Sequence, residues 1–284
     1  MITANGAVAV AGAAANGSAG DADVFVDVRN VTLNYKVGDD SSTLALDQTS
    51  MTLRRGEFVA IVGPSGCGKS SLLKLASGLR RPSQGEVVVG GSAVMKPIKI
   101  VGMAFQNPTM LPWLRTIDNV LMPLQIVEPH RSQFRAKKEA YRAMAQSLLS
   151  EVGLGNFADK YPWELSGGML QRASLCRALI HDPRLLLLDE PFGALDAFTR
   201  EDLWQVLQKL WMERNPTVIL VTHDLREAVF LADTVHVMSA RPGRVLTTHR
   251  VNIRRPRTLD DLFTDQASQL VHELRRHIAH DRAI

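Results

Sequence analysis

The sequence predicts an α/β fold in which a mainly parallel sheet follows an antiparallel β layer and carries an inserted helical unit. Three observations carry this reading. Phe58-Val59-Ala60-Ile61-Val62, Leu185 to Leu188 and Val218 to Val221 are short continuous apolar runs, as expected of strands buried on both faces of a parallel sheet. Ahead of them, Val24, Val26 and Val28 alternate in one frame and Val31, Leu33 and Tyr35 in another, the pattern of half-buried strands with a break near Arg29-Asn30. Between Pro108 and Trp163 strand signals cease. There Arg135 to Val152 is rich in helix formers, with Tyr141, Ala145, Leu148 and Val152 near helical spacing.

Composition sets the outer limits. A chain of 284 residues that is 45% apolar, 22% charged and 6% aromatic is neither fibrous nor wholly disordered, and one domain with an insertion fits its length. Lys plus Arg is 33 against 29 Asp plus Glu, and a net charge of +4 names no nucleic-acid partner. No run approaches the roughly 18 apolar residues that span a bilayer, so contact with a membrane is expected to run through another chain. Ala7 to Ala15 resembles a signal-peptide core only superficially, since no Lys or Arg precedes it, and residues 1–22 read as a flexible leader. Cys67 and Cys176 lack CxxC spacing, which indicates neither a metal site nor a disulfide framework and fits a reducing cytoplasm. The main domain then spans 23–250, with its helical insertion at about 108–164, and a C-terminal extension covers 251–284. Residues from about Arg250 onward begin with a basic stretch, Arg250, Arg254, Arg255 and Arg257, expected to be a solvated start to the tail, with contact to anionic lipid headgroups or to the permease as the alternative. The tail's DQASQLVHELRRHIAH segment reads as an amphipathic helix whose role the pattern does not fix.

The ends of the buried runs carry the chemistry. Directly after Phe58 to Val62 comes Gly63-Pro64-Ser65-Gly66-Cys67-Gly68-Lys69-Ser70, a complete GxxxxGK[ST] motif. With Ser71 it leads into a helix predicted to bury Leu72, Leu73, Ala76 and Leu79. Small residues let backbone N–H groups curl around phosphate oxygens, and the helix N-terminus adds positive potential. Lys69 reaches the β- and γ-phosphates, and the Ser70 hydroxyl binds Mg²⁺. The second run ends in Asp189-Glu190, an acidic pair suited to holding Mg²⁺ and to taking a proton from an attacking water. The third ends at His223, within expected reach of the γ-phosphate or of that water, and Asp224 opens the next helix. Leu165-Ser166-Gly167-Gly168-Met169 precedes an apolar-faced helix, so Ser166, Gly167 and Gly168 form a second exposed helix N-terminus able to receive phosphate. Two phosphate-seeking surfaces on one chain suggest a head-to-tail pair in which each copy covers the nucleotide of its twin.

Taken together, Gly63 to Ser70, Gln106 after an apolar strand, LSGGM, LLLLDEP, Ala194-Leu195-Asp196 and His223 resemble, in order and spacing, the ATP-binding subunit of ABC transporters over about residues 24–245. The resemblance implies a P-loop ATPase core with an antiparallel β subdomain and an inserted helical subdomain, using ATP and Mg²⁺. It implies that Tyr35 stacks on adenine and that Gln106 contacts Mg²⁺ and the attacking water. Ser166 to Gly168 would hold the γ-phosphate of the partner's ATP, and Asp196 would organise the dimer interface. Met169 stands where the usual signature has Gln. That substitution, FQNPTMLPWL and MSARPGRV resemble the importers of nitrate, sulfonates, taurine and similar nutrients.

The resemblance therefore implies an ATP-hydrolysing motor at the cytoplasmic face of the membrane. Its partners would be a permease, a second ATPase subunit and an extracytoplasmic substrate-binding protein. Pro112-Trp113-Leu114 is either the permease-docking surface or an apolar core cluster. A soluble ABC ATPase acting on nucleic acid or ribosomes is the rival class, but it is expected to show a long coiled-coil insertion or a second nucleotide domain. A P-loop kinase is expected to lack LSGGM.

Overall fold

The two alternating frames near the start of the chain belong to one strand. β1 (Val24–Val37) pairs antiparallel with β2 (Ser41–Arg54), and its register slips between Val28 and Val31, where Asn30 has φ 46°. The slip moves the buried frame without ending the strand. The computed structural model describes residues 23–37, 41–193 and 195–281, so the expected leader at 1–22 lies outside the described residues.

β3 (Phe58–Val62) feeds α1 (Lys69–Ala76), which is shorter than its apolar pattern predicts. The chain turns at Gly78, with φ 76°, where a Cβ would lie 2.1 Å from the Lys96 carbonyl oxygen. No side chain fits there, the helix stops, and Leu79 is left exposed rather than buried. β4 (Gln84–Val89) and β5 (Ser92–Ala93) complete an antiparallel sheet of order β2-β1-β4-β5. After β6 (Val101–Ala104) come α2 (Thr116–Leu121), α3 (His130–Gln133) and α4 (Lys138–Glu151), which buries Tyr141, Ala145 and Leu148 as its spacing predicts. The chain continues with α5 (Gly167–Leu179), β7 (Leu185–Asp189), α6 (Ala197–Arg214), β8 (Thr217–Thr222) and α7 (Leu225–Leu231). It ends with β9 (Thr234–Met238), β10 (Val245–Arg250) and α8 (Asp265–Asp281).

The second sheet has the order β10-β9-β3-β8-β7-β6, parallel throughout except where β10 runs antiparallel to β9. Its apolar runs explain the layering. Val59, Ile61, Leu185, Leu187, Ile219 and Val221 pack with the antiparallel sheet and α1. Their neighbours Ala60, Val62, Leu186, Leu188, Val218 and Leu220 pack with the helices on the other face. Each strand thus serves two cores, which is why it reads as continuous apolar sequence.

Parallel register then gathers the chemistry at one edge. Val62 pairs with Thr222, Asp189 with Val221 and Ala104 with Leu188, so the segments after β3, β6, β7 and β8 leave the sheet side by side. Among the described residues, no helix is long and apolar enough to cross a membrane.

The basic stretch is not uniformly solvated. Arg257 is buried, and its guanidinium donates to the carbonyls of Val229, Phe230 and Ala232 at 2.7–3.0 Å, while its backbone N–H donates to Gln208 Oε1. Arg255 pairs with Asp233 and stacks over Trp211 at 4.2 Å from the ring centroid. The reason is geometric: carbonyls at the end of α7 have no partner further along the helix, and the two N–H groups of Arg257 Nη1, shared among three oxygens, reach them. Burial lowers the pKa of the Arg257 guanidinium to about 10, which leaves it charged at neutral pH. Ala267 and Leu274 of α8 also enter the core.

In the middle of β9, His236 is buried, with Nδ1 on Thr248 Oγ1 at 2.8 Å. Burial depresses its pKa to about 4. The unfolded chain, titrating near 6.5, binds a proton that the folded chain refuses, so stability is lost as pH falls from about 6.5 to about 4. His236→Asn, which keeps a polar partner for Thr248, is expected to make that acid-induced loss shallower by about 3 kcal/mol. Chemical denaturation of both proteins across this range measures the difference.

Candidate active site

The loop from Gly63 to Ser70 carries β3 into α1, and two of its glycines adopt a left-handed backbone, Gly66 at φ 76° and Gly68 at φ 105°. At Gly68 a Cβ would lie 2.7 Å from Leu46 Cδ2 and 2.8 Å from the Ala45 carbonyl oxygen, so conformation and space both require glycine. The buried Lys69 ammonium donates to the carbonyls of Gly63 and Pro64, each at 2.9 Å, and lies 3.9 Å from Cys67 Sγ. Those partners are neutral, so the charge is left for an anion to balance. Pro64 and Cys67 are themselves buried, with Cys67 in the core beneath the loop.

Strand order brings the acid to the loop. β8 lies between β3 and β7, and Ser70 Oγ at the start of α1 donates to Asp189 Oδ1 at 2.7 Å. Burial pushes the Asp189 carboxyl above the usual range, and the charge of Glu190 adds to that. The Ser70 hydrogen bond and the Lys74 and Lys69 ammonium groups oppose it. A divalent cation placed here would relieve the desolvation cost, and a hydroxyl beside a carboxylate is the hard oxygen donor set that Mg²⁺ prefers.

Glu190 sits on a strained turn with φ 46°, held by its N–H donating to the Val221 carbonyl at 2.9 Å. Its Oε2 lies 3.2 Å from His223 Nδ1. The exposed Gln106 closes the group: a Cβ on Gly193 would lie 3.6 Å from Gln106 Nε2 and 3.8 Å from Glu190 Oε2, so amide and carboxylate flank the same glycine. Gln106, Asp189, Glu190 and His223 therefore converge from three strand ends.

A cavity of about 390 Å³ opens above the loop, lined by Tyr35, Ser65, Lys69, Ser70, Ser71 and Glu190 among others. The Tyr35 hydroxyl shares a hydrogen bond with Ser71 Oγ at 3.0 Å, and the Arg80 guanidinium covers one ring face at 4.2 Å from the centroid. Only the other face is left for a base. The remaining predicted residues lie apart from this cavity. Ser166 caps α5, its Oγ accepting from the Met169 N–H at 3.3 Å, and Ser166 and Gly167 are exposed. Gly168 faces Thr199, and the Met169 side chain packs against the helical core, so replacing Gln there leaves the cap intact. Asp196 caps α6 and accepts from the Thr199 N–H at 3.0 Å, which holds its carboxyl below the usual range. Ala194 lies outside the described residues.

Besides Arg80, sequence reasoning missed three contributors. Arg241 lines the cavity and donates through Nε to the Gly66 carbonyl at 3.2 Å. Its signal was available, because it follows β9 at the same sheet edge. Arg200 pairs with the α7 cap Asp224 at 3.0 Å, beside His223. The third is Glu227, fully buried on α7, with burial raising its carboxyl well above the usual range and the nearby Asp224 charge adding to it.

The chain is similar to known proteins. The ABC transporter family model matches residues 46–193. The bicarbonate transport ATP-binding protein CmpD of Synechocystis sp. is 40% identical over 245 residues, 85% of this chain and 84% of its own length. The aliphatic sulfonates import ATP-binding protein SsuB of Bacillus thuringiensis subsp. konkukian is 39% identical over 88% of this chain and 92% of its own. The taurine import ATP-binding protein TauB of Yersinia pestis bv. Antiqua is 43% identical over 73% of this chain and 79% of its own. Among solved structures, the dimeric ATP-binding cassette MJ0796 in a post-hydrolysis state bound to ADP and Pi superposes with a TM-score of 0.69 at 32% identity. It covers 81% of this chain and 100% of that one.

Proposed function

The chain belongs to the ABC transporter family, and from that membership we propose that it is the motor of an importer for a small nutrient such as bicarbonate, an aliphatic sulfonate or taurine. It is an ATPase that binds ATP and works with a membrane permease. The observation that carries the catalytic reading is the link from Ser70 Oγ to Asp189 at 2.7 Å beside Glu190 and His223 at 3.2 Å. It joins a phosphate loop, a cation site and a base in one place. Nothing supports the rival nucleic-acid ATPase, and the longest described helix, α6, has only 18 residues.

In this reading the loop amides and Lys69 hold the β- and γ-phosphates, while the open face of Tyr35 takes the adenine ring. Ser70, Asp189 and Gln106 would hold Mg²⁺, which would supply positive charge against the phosphates. Glu190 Oε2 accepts a proton from the water that attacks the γ-phosphorus. As that P–O bond forms, the bond to the β-phosphate oxygen breaks and its electron pair leaves with ADP. The proton then passes from Glu190 to released phosphate or solvent. His223 Nδ1 orients the carboxylate. Ser166, Gly167 and Asp196 are exposed, Gly168 is half-buried, and none of them lines the cavity of its own chain, which supports a role across a head-to-tail dimer with Asp196 at the interface.

The same reading places the chain peripherally on the cytoplasmic face, with an extracytoplasmic binding protein delivering substrate. Residues 23–250 would form the ATPase domain with its helical insert at about 108–164, and 251–284 an extension packed on it. Uptake of labelled bicarbonate, sulfonate and taurine in cells lacking this gene tests the assignment. Wild type should restore one of them and Lys69→Ala none, whereas restoration by Lys69→Ala would contradict a motor role.

Docking on the permease falls to Pro112-Trp113-Leu114. Trp113 is 69% exposed, so the core-cluster alternative does not hold. The buried Asn119 fixes this loop from beneath, accepting from the Leu111 N–H at 2.7 Å and donating to the Leu111 and Leu114 carbonyls. A rigid loop presenting one large aromatic is the anatomy of an interface anchor. Trp113→Ala is expected to shift stability by less than about 0.5 kcal/mol and to spare basal ATPase activity while weakening co-purification with the permease. Thermal melting and pull-down measure the two.

A further inference from the structure

We propose that His249, Glu273 and His277 form a Zn²⁺ site, separate from the nucleotide site, that clips α8 onto the edge strand β10. The three side chains can each offer one ligand atom, and these atoms lie within 4.8 Å of one another. Two elements distant in sequence supply them. Glu273 and His277 are four residues apart and so share one face of α8, while His249 comes from β10. His249 Nδ1 is 3.7 Å from Glu273 Oε1, and the His249 and His277 rings are 5.3 Å apart at their centroids. On its far side, His249 Nε2 lies 3.2 Å from Thr247 Oγ1, the second contact that fixes the ring and tautomer of a metal-ligating histidine.

Two imidazoles and a carboxylate are a borderline donor set that suits Zn²⁺, with water in the fourth position. Tetrahedral Zn²⁺ with bonds of about 2.0–2.1 Å holds its ligand atoms about 3.4 Å apart. The present spread closes to that by small rotations, which half-buried side chains at a helix surface can make. Mg²⁺ prefers oxygen ligands, so the ATPase's own cation does not compete here. By helical period, the clip engages a different side of α8 from Val271, Arg275 and Ile278, which line a cavity with His223. The helix that borders the catalytic histidine is thus the one the metal would hold in place.

Calorimetric titration of ZnCl₂ into the full chain tests the site without any nucleotide. The expected result is one Zn²⁺ per chain, with a melting temperature raised by about 5 °C or more at a hundredfold excess over Kd. His249→Gln, Glu273→Gln and His277→Gln should each weaken binding more than about 10-fold, since loss of even a supporting partner costs that much. His272→Ala, at an exposed position of α8 outside the cluster, should bind as wild type does. Glu273 is half exposed, so Glu273→Gln should fold normally even if a histidine variant does not. Absence of Zn²⁺ binding by wild type, or unchanged affinity in Glu273→Gln, would overturn the proposal. So would unchanged affinity in a folded His249→Gln, which would mean a site on the helix alone.

Discussion

A Glu190→Gln protein is expected to bind MgATP as the wild type does and to hydrolyse it about 10²- to 10⁴-fold more slowly. The amide keeps the length of the carboxylate and its reach to His223 Nδ1, 3.2 Å away, but takes no proton from water at neutral pH. The contact of Ser70 with Asp189 at 2.7 Å does not involve this side chain, so the cation and phosphate sites are left as they are. Backbone strain does not change either, because the φ of 46° is imposed by the turn after β7 and glutamine meets it as glutamate does. Single-turnover hydrolysis with calorimetric MgATP binding separates the two effects. Turnover at the wild-type rate would remove Glu190 as the base, and loss of ATP binding would assign it to the binding set instead.

The second large effect is expected far from the nucleotide. Arg257→Met should destabilise the protein by about 3 kcal/mol, because the carbonyls of Val229, Phe230 and Ala232 each lose a buried donor that water cannot replace. That corresponds to a fall of about 6–10 °C in melting temperature for a chain of this size. Arg254, exposed in the same basic stretch, is the control, and Arg254→Met should stay within about 0.5 kcal/mol of wild type. Equal melting of the two variants would mean that the guanidinium does not cap these carbonyls. The same packing bears on truncation. Every predicted nucleotide motif precedes residue 251, yet deleting 251–284 removes Arg257, Ala267 and Leu274 from the core, so its first effect should be on folding.

The parts of the fold legible in the sequence are those where one residue type answers to one environment. The runs at Phe58, Leu185 and Val218 are apolar on both faces because each strand serves two cores, and that leaves no other reading. The turn glycines of the phosphate loop were legible for a similar reason, since no other residue fits at Gly68. Long-range polar contacts were not. Arg257 reads as one more charge in a basic stretch, and nothing local shows that the α7 carbonyls lie above it. Asn119 likewise looks like an ordinary helical asparagine until the loop it holds is seen. The extent of α1 was overread because Leu79 keeps helical spacing, while the close approach of Lys96 to Gly78 ends the helix. In the site, the residues at strand ends were found through their motifs. Arg80 escaped because it covers an aromatic face, a contact that carries no spacing rule, and Arg241 because it belongs to no motif, although its place after β9 put it at the same sheet edge.

The head-to-tail mechanism rests on Ser166 and Gly167 being exposed, with Gly168 half-buried beside them, and on all three lying outside the lining of their own chain's cavity, so that a second copy would bring them to the γ-phosphate. Light scattering of the Glu190→Gln protein in MgATP and in MgADP tests this most directly, because unhydrolysed ATP should then link two chains. The expected result is a dimer in MgATP, a monomer in MgADP, and a monomer in both once Ser166→Arg is added. A Glu190→Gln protein that holds MgATP and remains monomeric, or that dimerises equally well with Ser166→Arg, would contradict the shared site.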